Sequence, residues 1–309
     1  MIACVAPSPS IDKVFEVDHL RPGAIHRPIQ FVRVPGGKGL NTARAAAALG
    51  AEVRAVALLG GHAGRWIADE LNRVGLPFIA AWCRGETRSC LSVADAETAS
   101  LTEFYETSAA VSAEEWEAFA RAAEDATASA AWTTVSGSLP PGAPADAYEQ
   151  LASAGVSVAV DTSALGAARP ALAKVNAAEA ATLTGIVIGS VGQAVEAAHA
   201  LRGRIGGEGH AAAVTCGRDG AVLVAPDGSA WCGSLTATGS YPVGSGDAFL
   251  AGLVTTVAAG ESWPEALAIA LGAAAANAEL PGPGLLEGAR ARALAAQAVI
   301  ESFAAVETR

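Results

Sequence analysis

Short β-branched runs alternate with alanine-rich helical stretches through most of the chain. Val53–Leu59 reads as a strand, and Trp66, Ile67, Leu71 and Val74 fall at helical spacing in a helix near Gly64–Val74. Trp132–Ser136, Val156–Val160, Ala212–Thr215 and Ala221–Val224 are further strand candidates, each ending in small polar or Gly/Pro residues. Strands separated by helices predict a doubly wound, mostly parallel α/β sheet with helices on both faces. Ligands in such sheets collect at the carboxyl ends of the strands. Two segments, about 12–34 and 87–105, break this rhythm. Phe15 and Val17 alternate with Glu16 and Asp18, while Cys90–Val93 and Leu101–Tyr105 flank a polar turn. They predict a small β-sheet projecting from one domain that spans 1–309, placed as a lid; two surface hairpins without a role are the alternative.

Composition narrows the class. The 309 residues carry 20 Lys+Arg against 31 Asp+Glu, a net charge of −11, which argues against nucleic acid or an anionic membrane as partner. With 51% hydrophobic and 17% charged residues the chain can collapse rather than stay disordered. The apolar runs Ala248–Gly260 and Ala266–Asn277 are shorter than the roughly 20 residues of a membrane span and read as buried helices. The N-terminus has no signal-peptide pattern. Five cysteines without a Cys-x-x-Cys pair fit free thiols in a reducing cytosol, and five scattered histidines make a structural zinc site improbable.

Two glycine-rich segments carry the chemistry. In Val243-Gly244-Ser245-Gly246-Asp247, glycines open an apolar helix, so the Gly244, Ser245, Gly246 and Asp247 amides converge where an anion is favoured. An Asp in that first turn can take a proton from a hydroxyl attacking a phosphoryl group, although Asp also caps helices. In Pro35-Gly36-Gly37-Lys38-Gly39-Leu40-Asn41, the pair Gly36 and Gly37 admits close approach to the backbone. Lys38 adds a point charge, Asn41 adds a donor and an acceptor, and a helix follows over Ala43–Leu49. Neither segment is a Walker loop or a dinucleotide fingerprint, because the required glycine and Gly-Lys-Ser/Thr positions fail.

Together, near the two ends of the chain, these segments resemble the paired signatures of the PfkB (ribokinase-like) family of carbohydrate kinases, over about Val5–Gly284. The resemblance implies a ribokinase-like α/β fold with a small β-sheet lid, ATP and Mg²⁺ as cofactors, and Asp247 as the base. Pro9-Ser10-Ile11-Asp12 is similar to the segment whose Asp bonds sugar hydroxyls. Gly85-Glu86-Thr87-Arg88 resembles the lid strand whose Arg meets a substrate phosphate, and Gly137-Ser138-Leu139-Pro140-Pro141-Gly142 a strand-end turn of the same branch. That branch contains 1-phosphofructokinase, tagatose-6-phosphate kinase and the minor bacterial 6-phosphofructokinase. The implied substrate is therefore a ketohexose phosphate, with Asp12 and Asn41 on its hydroxyls and Lys38 and Arg88 on its phosphate.

On the nucleotide side, Lys174-Val175-Asn176-Ala177-Ala178-Glu179 resembles a family segment in which Asn176 and Glu179 organise water around Mg²⁺, a helix-capping arrangement being the alternative. Thr215, Gly217 and Gly220 fall in a turn that meets ATP phosphates, and Asn277 falls at the implied adenine pocket. Asp161 either adds to the metal and phosphate surroundings or caps the next turn. Departures from the family pattern are Ser8, Val175 and the stretch Ala24-Ile25-His26, where some relatives place a lysine. The resemblance also implies a cytoplasmic homodimer paired through the lid. A kinase of an unphosphorylated sugar or nucleoside, or a non-catalytic sugar-phosphate-binding protein, are the competing functions.

Overall fold

A computed structural model describes residues 1–153, 157–236 and 239–303. The chain runs β1 (Ile2–Ala6), β2 (Ser10–Val17), β3 (Gln30–Gly36), α1 (Lys38–Ala48), β4 (Val53–Gly60), α2 (Gly61–Arg73) and β5 (Phe78–Cys83). It continues with β6 (Arg88–Asp95), β7 (Ser100–Tyr105), α3 (Ala113–Thr127), β8 (Trp132–Ser136), α4 (Ala147–Ser153), β9 (Val158–Asp161) and β10 (Leu172–Asn176). Then follow α5 (Ala177–Thr184), α6 (Val191–Ile205), β11 (Ala211–Thr215), β12 (Ala221–Val224), β13 (Ala230–Ser234), α7 (Ser245–Ala258), α8 (Trp263–Ala278), α9 (Gly288–Ala295) and β14 (Val299–Phe303). Val156, where the sequence pattern opens a strand, lies outside the described residues, as do 304–309 of the expected single domain.

The large sheet has the order β14-β13-β12-β11-β10-β9-β8-β1-β4-β5. From β5 to β11 the pairings are parallel, as the strand–helix alternation requires, and β12, β13 and β14 add an antiparallel edge. The turn expected at Thr215–Gly220 is present and reverses the chain: Ala212–Thr215 and Ala221–Val224 belong to an antiparallel hairpin, with Gly217 (φ 61°) and Gly220 (φ 96°) closing a single 3-10 turn and no α-helix between. Strand order reverses on either side of β1, and the loops after β1 and β8 flank that switch point, where crevices form.

Alternation along the central strands feeds two cores. Cys4, Ala6, Ala55, Ala57 and Leu59 pack with α1, α2, α7 and α8 on one face. Val5, Val56, Leu58, Val135 and Val160 pack with α3, α4 and α6 on the other. The irregular segments form a separate sheet, β3-β2-β6-β7, with β2 parallel to β6 and antiparallel edges.

Both predicted apolar helices are present, as α7 and α8. Small residues let them approach closely: a Cβ at Gly252 would come within 2.6 Å of Ala270 Cα. Gly203, on exposed α6, has nothing within 4 Å. Gly252→Ala is therefore predicted to destabilise the fold by about 1–3 kcal/mol through overpacking, and Gly203→Ala to stabilise it by about 0.5–1 kcal/mol. Urea denaturation of the two variants checks the opposite signs.

Candidate active site

Gly244, left-handed at φ 82°, is the residue before α7, and no side chain caps that helix end. A Cβ on Gly244 would stand 2.6 Å from Pro283, so the turn is pressed against the 281–284 loop. Asn277 locks the two together. Its Nδ2 donates to the Val243 carbonyl (2.8 Å) and to Ser245 Oγ (3.3 Å), and its Oδ1 accepts from the Gly284 amide (2.7 Å). Of the four amides proposed as an anion hole, that of Ser245 already donates to the Pro242 carbonyl at 3.1 Å. Gly244, Gly246 and Asp247 are left with no backbone acceptor among the described residues.

The Pro35–Asn41 segment differs from its expected form, because the helix begins at Lys38 rather than Ala43. Gly37, at φ 85°, is its N-cap residue, and this conformation turns the chain directly from β3 into α1. Gly36 packs against the Asp12 carboxylate, where a Cβ would collide. Asp12 accepts from Ser10 Oγ (2.5 Å) and from the Gly37 amide (3.2 Å). One turn into α1, Asn41 Nδ2 donates to Asp247 Oδ2 at 2.9 Å and lies 3.5 Å from Asp12 Oδ2. Asp247 is therefore held by the partner motif, and its carboxylate does not cap its own helix.

Between the two motifs lies a buried charge cluster. Asp161 closes β9 with no solvent exposure. It accepts from Lys174 Nζ at 2.9 Å and from Lys38 Nζ at 3.0 Å, and Lys38 also reaches Glu179 at 3.5 Å. Lys174 Nζ sits below the anion turn, 2.7 Å from where a Gly246 Cβ would be. Burial drives the Asp247 carboxyl up to about 7, and the charge of Asp161 pushes the same way against Lys38, Lys174 and Asn41. Burial also acts to raise Asp161, but its two lysines outweigh that and hold it below the ordinary range. Burial pulls Lys38 down, yet Asp161, Glu179 and Asp247 together leave it above its usual value. Two carboxylates of one site are thus pushed apart, one kept as an anion and one made basic.

A cleft of about 1470 Å³ runs from the small sheet to α8 past this cluster. Ser10, Asp12, Arg88, Cys90, Tyr105 and Ser138 line it on one side, with Lys38, Asn41 and Asp247 at its centre. Lys174, Asn176, Thr215, Gly217, Gly220, Gly244, Ser245 and Gly246 line the other. Arg88 is anchored at the rim by the Ser8 and Glu106 carbonyls (3.2 and 3.3 Å), and its Nε is buried without a partner among the described residues.

Several of the expected residues are already engaged within the protein. Lys38, which lines the cleft, is paired with Asp161 and Glu179. Asn277 is wholly buried and consumed by the 243–245 and 284 backbone, so it braces the turn instead of opening into an adenine pocket. Asn176 and Glu179 are N-cap and third residue of α5, joined in a reciprocal capping box, which is the alternative the sequence left open. The sequence also missed Arg44, beneath Asn41, and the bond from Tyr241 Oη to Glu16 Oε2 (2.5 Å) that ties the small sheet to the loop before Gly244. An Arg three residues after Asn41 on one helix was the available signal for the first.

Among the described residues no three acidic, His or Cys side chains converge as a metal cage. The partly exposed Glu179 carboxylate, with Asn176 beside it at the cleft, nevertheless suits a magnesium ion carried mainly by nucleotide phosphates and water. Nor, among the described residues, is any helix long and apolar enough to cross a membrane.

A mostly parallel sheet with a small second sheet over a strand-end cleft, paired glycine motifs and a buried carboxylate is the build of a carbohydrate kinase. The model of the pfkB family of carbohydrate kinases matches residues 2–287, and the chain belongs to that family. It is 34% identical over 275 residues to a 1-phosphofructokinase of Haloferax volcanii, covering 86% of this chain and 87% of the relative. To the ATP-dependent 6-phosphofructokinase isozyme 2 of Mycobacterium tuberculosis it is 30% identical over 291 residues, covering 92% and 85%. The crystal structure of phosphofructokinase-2 from Escherichia coli with substrates and products superposes with a TM-score of 0.86 at 24% identity, over 96% of this chain and 98% of that one. The protein is a phosphotransferase acting on a sugar hydroxyl, and its family implies ATP as the donor.

Asp161 is the keystone of the cluster. Asp161→Asn leaves the buried Lys174 ammonium without its carboxylate partner and Lys38 with Glu179 alone, and urea denaturation is predicted to show a loss of roughly 3 kcal/mol.

Proposed function

We propose that the protein transfers the γ-phosphoryl group of ATP to a free hydroxyl of a ketohexose phosphate, with Mg²⁺ accompanying the nucleotide. The observation that carries this reading is the placement of Asp247. Its buried carboxylate lies beside an uncapped helix N-terminus and is bonded to Asn41, which it shares with Asp12, and Arg88 lines the same cleft. The names of the relatives, 1-phosphofructokinase and 6-phosphofructokinase, support the substrate class.

In this mechanism Asp12 and Asn41 hold sugar hydroxyls, and Arg88 with Ser138 holds the resident phosphate. Asp247 takes the proton of the attacking hydroxyl as its oxygen bonds to phosphorus and the bond to the departing ADP oxygen breaks. The Gly244, Gly246 and Asp247 amides and the Lys174 ammonium stabilise charge on the transferred group. Thr215, Gly217 and Gly220 border the nucleotide, and magnesium, when bound, would neutralise charge on its phosphates, with Glu179 and Asn176 holding its water. The small sheet serves as a lid that excludes water. Its outward Ile29, Phe31 and Phe104 are more than half exposed, which supports a homodimer paired through the lid.

ADP release with fructose 1-phosphate, fructose 6-phosphate, tagatose 6-phosphate, free fructose, ribose and adenosine tests the substrate class. Turnover is predicted for a phosphorylated ketohexose, and activity confined to the unphosphorylated compounds would overturn it. Asp247→Asn should lower kcat by about 10²–10⁴. Because the base must be ionised, kcat/KM should fall about tenfold per pH unit below about 7, with Asp247 responsible for the limb. A flat profile from pH 5 to 8 would contradict the assignment.

A further inference from the structure

Arg44 stands one turn along α1 from Asn41 and faces inward, only 9% exposed. Its Nη2 donates to Asn41 Oδ1 at 2.8 Å and also to the Pro283 carbonyl. Nε and Nη1 are buried without a hydrogen-bond partner among the described residues. A buried guanidinium with two idle donors is costly, and packing alone does not explain it. Burial lowers its pKa to about 10, with Asp12 and Asp247 opposing, so it stays charged at neutral pH.

The geometry gives that charge a task. A guanidinium can only donate, so the atom of Asn41 that meets it must be the amide oxygen. The Asn41 NH₂ is then forced toward Asp247 and Asp12, where it donates to the carboxylates. With the amide reversed, an oxygen would face Asp247 and would favour the protonated acid, which cannot act as a base. Through Pro283 the same guanidinium ties down the loop on which the Gly244 turn rests.

We propose that Arg44 is a positioning residue, which sets the polarity of the Asn41 amide and thereby keeps Asp247 ionised and aimed at the acceptor hydroxyl. This rests on the reading of Asp247 as the base. The other groups acting on Asp247 are Asn41 and Lys38 from α1, Asp161 from β9 and Lys174 from β10. Asp12 from β2 lies across Asn41 from it.

The test compares Arg44→Met and Arg44→Lys with the parent on whichever substrate the panel identifies. Arg44→Met should lower kcat about tenfold or more with KM for ATP little changed, and should move the acid limb of the pH profile upward by about one unit. Arg44→Lys keeps the charge, so its limb should stay with the parent, while kcat remains several-fold down for want of the planar fork. In an Asn41→Ala background, Arg44→Met should add less than about a twofold loss.

A second readout needs no turnover. The asparagines of the chain are Asn41, Asn72, Asn176 and Asn277, so side-chain amide NMR signals are assignable by substitution. The Asn41 pair should titrate with Asp247 in the parent and lose that titration in Arg44→Met. A folded Arg44→Met with parental kcat, pH limb and Asn41 titration would overturn the proposal. Should that variant not fold, an Arg44→Lys with parental kcat and Asn41 signals would do the same. Absence of turnover in the parent with the NMR behaviour intact would instead count against the substrate reading alone.

Discussion

Everything at the centre of this molecule hangs on one fully buried carboxylate. Asp161 ends β9 without solvent contact and is kept ionised by two ammonium groups, from Lys174 on the neighbouring strand and Lys38 at the start of α1. A buried charge is tolerated only when paired and hydrogen-bonded, so this arrangement constrains where both elements begin and end. Its second consequence is electrostatic. A fixed anion near Asp247, combined with burial, disfavours a second negative charge and so makes Asp247 basic enough to take a proton near neutral pH. The interaction that stabilises the strand ends is also the one that tunes the proposed base.

Around that cluster the fold supplies a frame with little freedom. Gly244 is pressed against Pro283, Gly36 against Asp12 and Gly37 against the backbone of Pro9. Such contacts leave no room for side chains and set the distance between the Gly244 turn and the Asp12 carboxylate. The small sheet is joined more loosely. Tyr241 to Glu16 and the stacking of Arg33 on Trp66 (4.3 Å) link it to the core through side chains, which suits the lid role proposed for it.

Much of this was legible in the residues. The alternation of strands and helices, the two irregular segments of the small sheet and the two glycine motifs each carry a local signal that one stretch of sequence contains. What escaped was long-range. Nothing local shows that Lys38 meets a carboxylate from residue 161 and another from residue 179. Asn277 sits in an apolar helix, and only the fold reveals that the 243–245 and 284 backbone uses both ends of its amide. The β11–β12 hairpin is half legible: the glycines after Thr215 mark a turn, but the regular strand–helix alternation elsewhere gives no sign that the two strands pair antiparallel.

Whether burial and Asp161 together make Asp247 a base can be measured without any assumption about the sugar. Difference infrared spectroscopy of the carboxyl band, comparing the parent with Asp247→Asn across pH, reports that one titration directly. A midpoint near 7 is predicted, falling when Asp161 is replaced by Asn. A midpoint near the ordinary aspartate value of about 3.9, unmoved by the Asp161 substitution, would contradict the account.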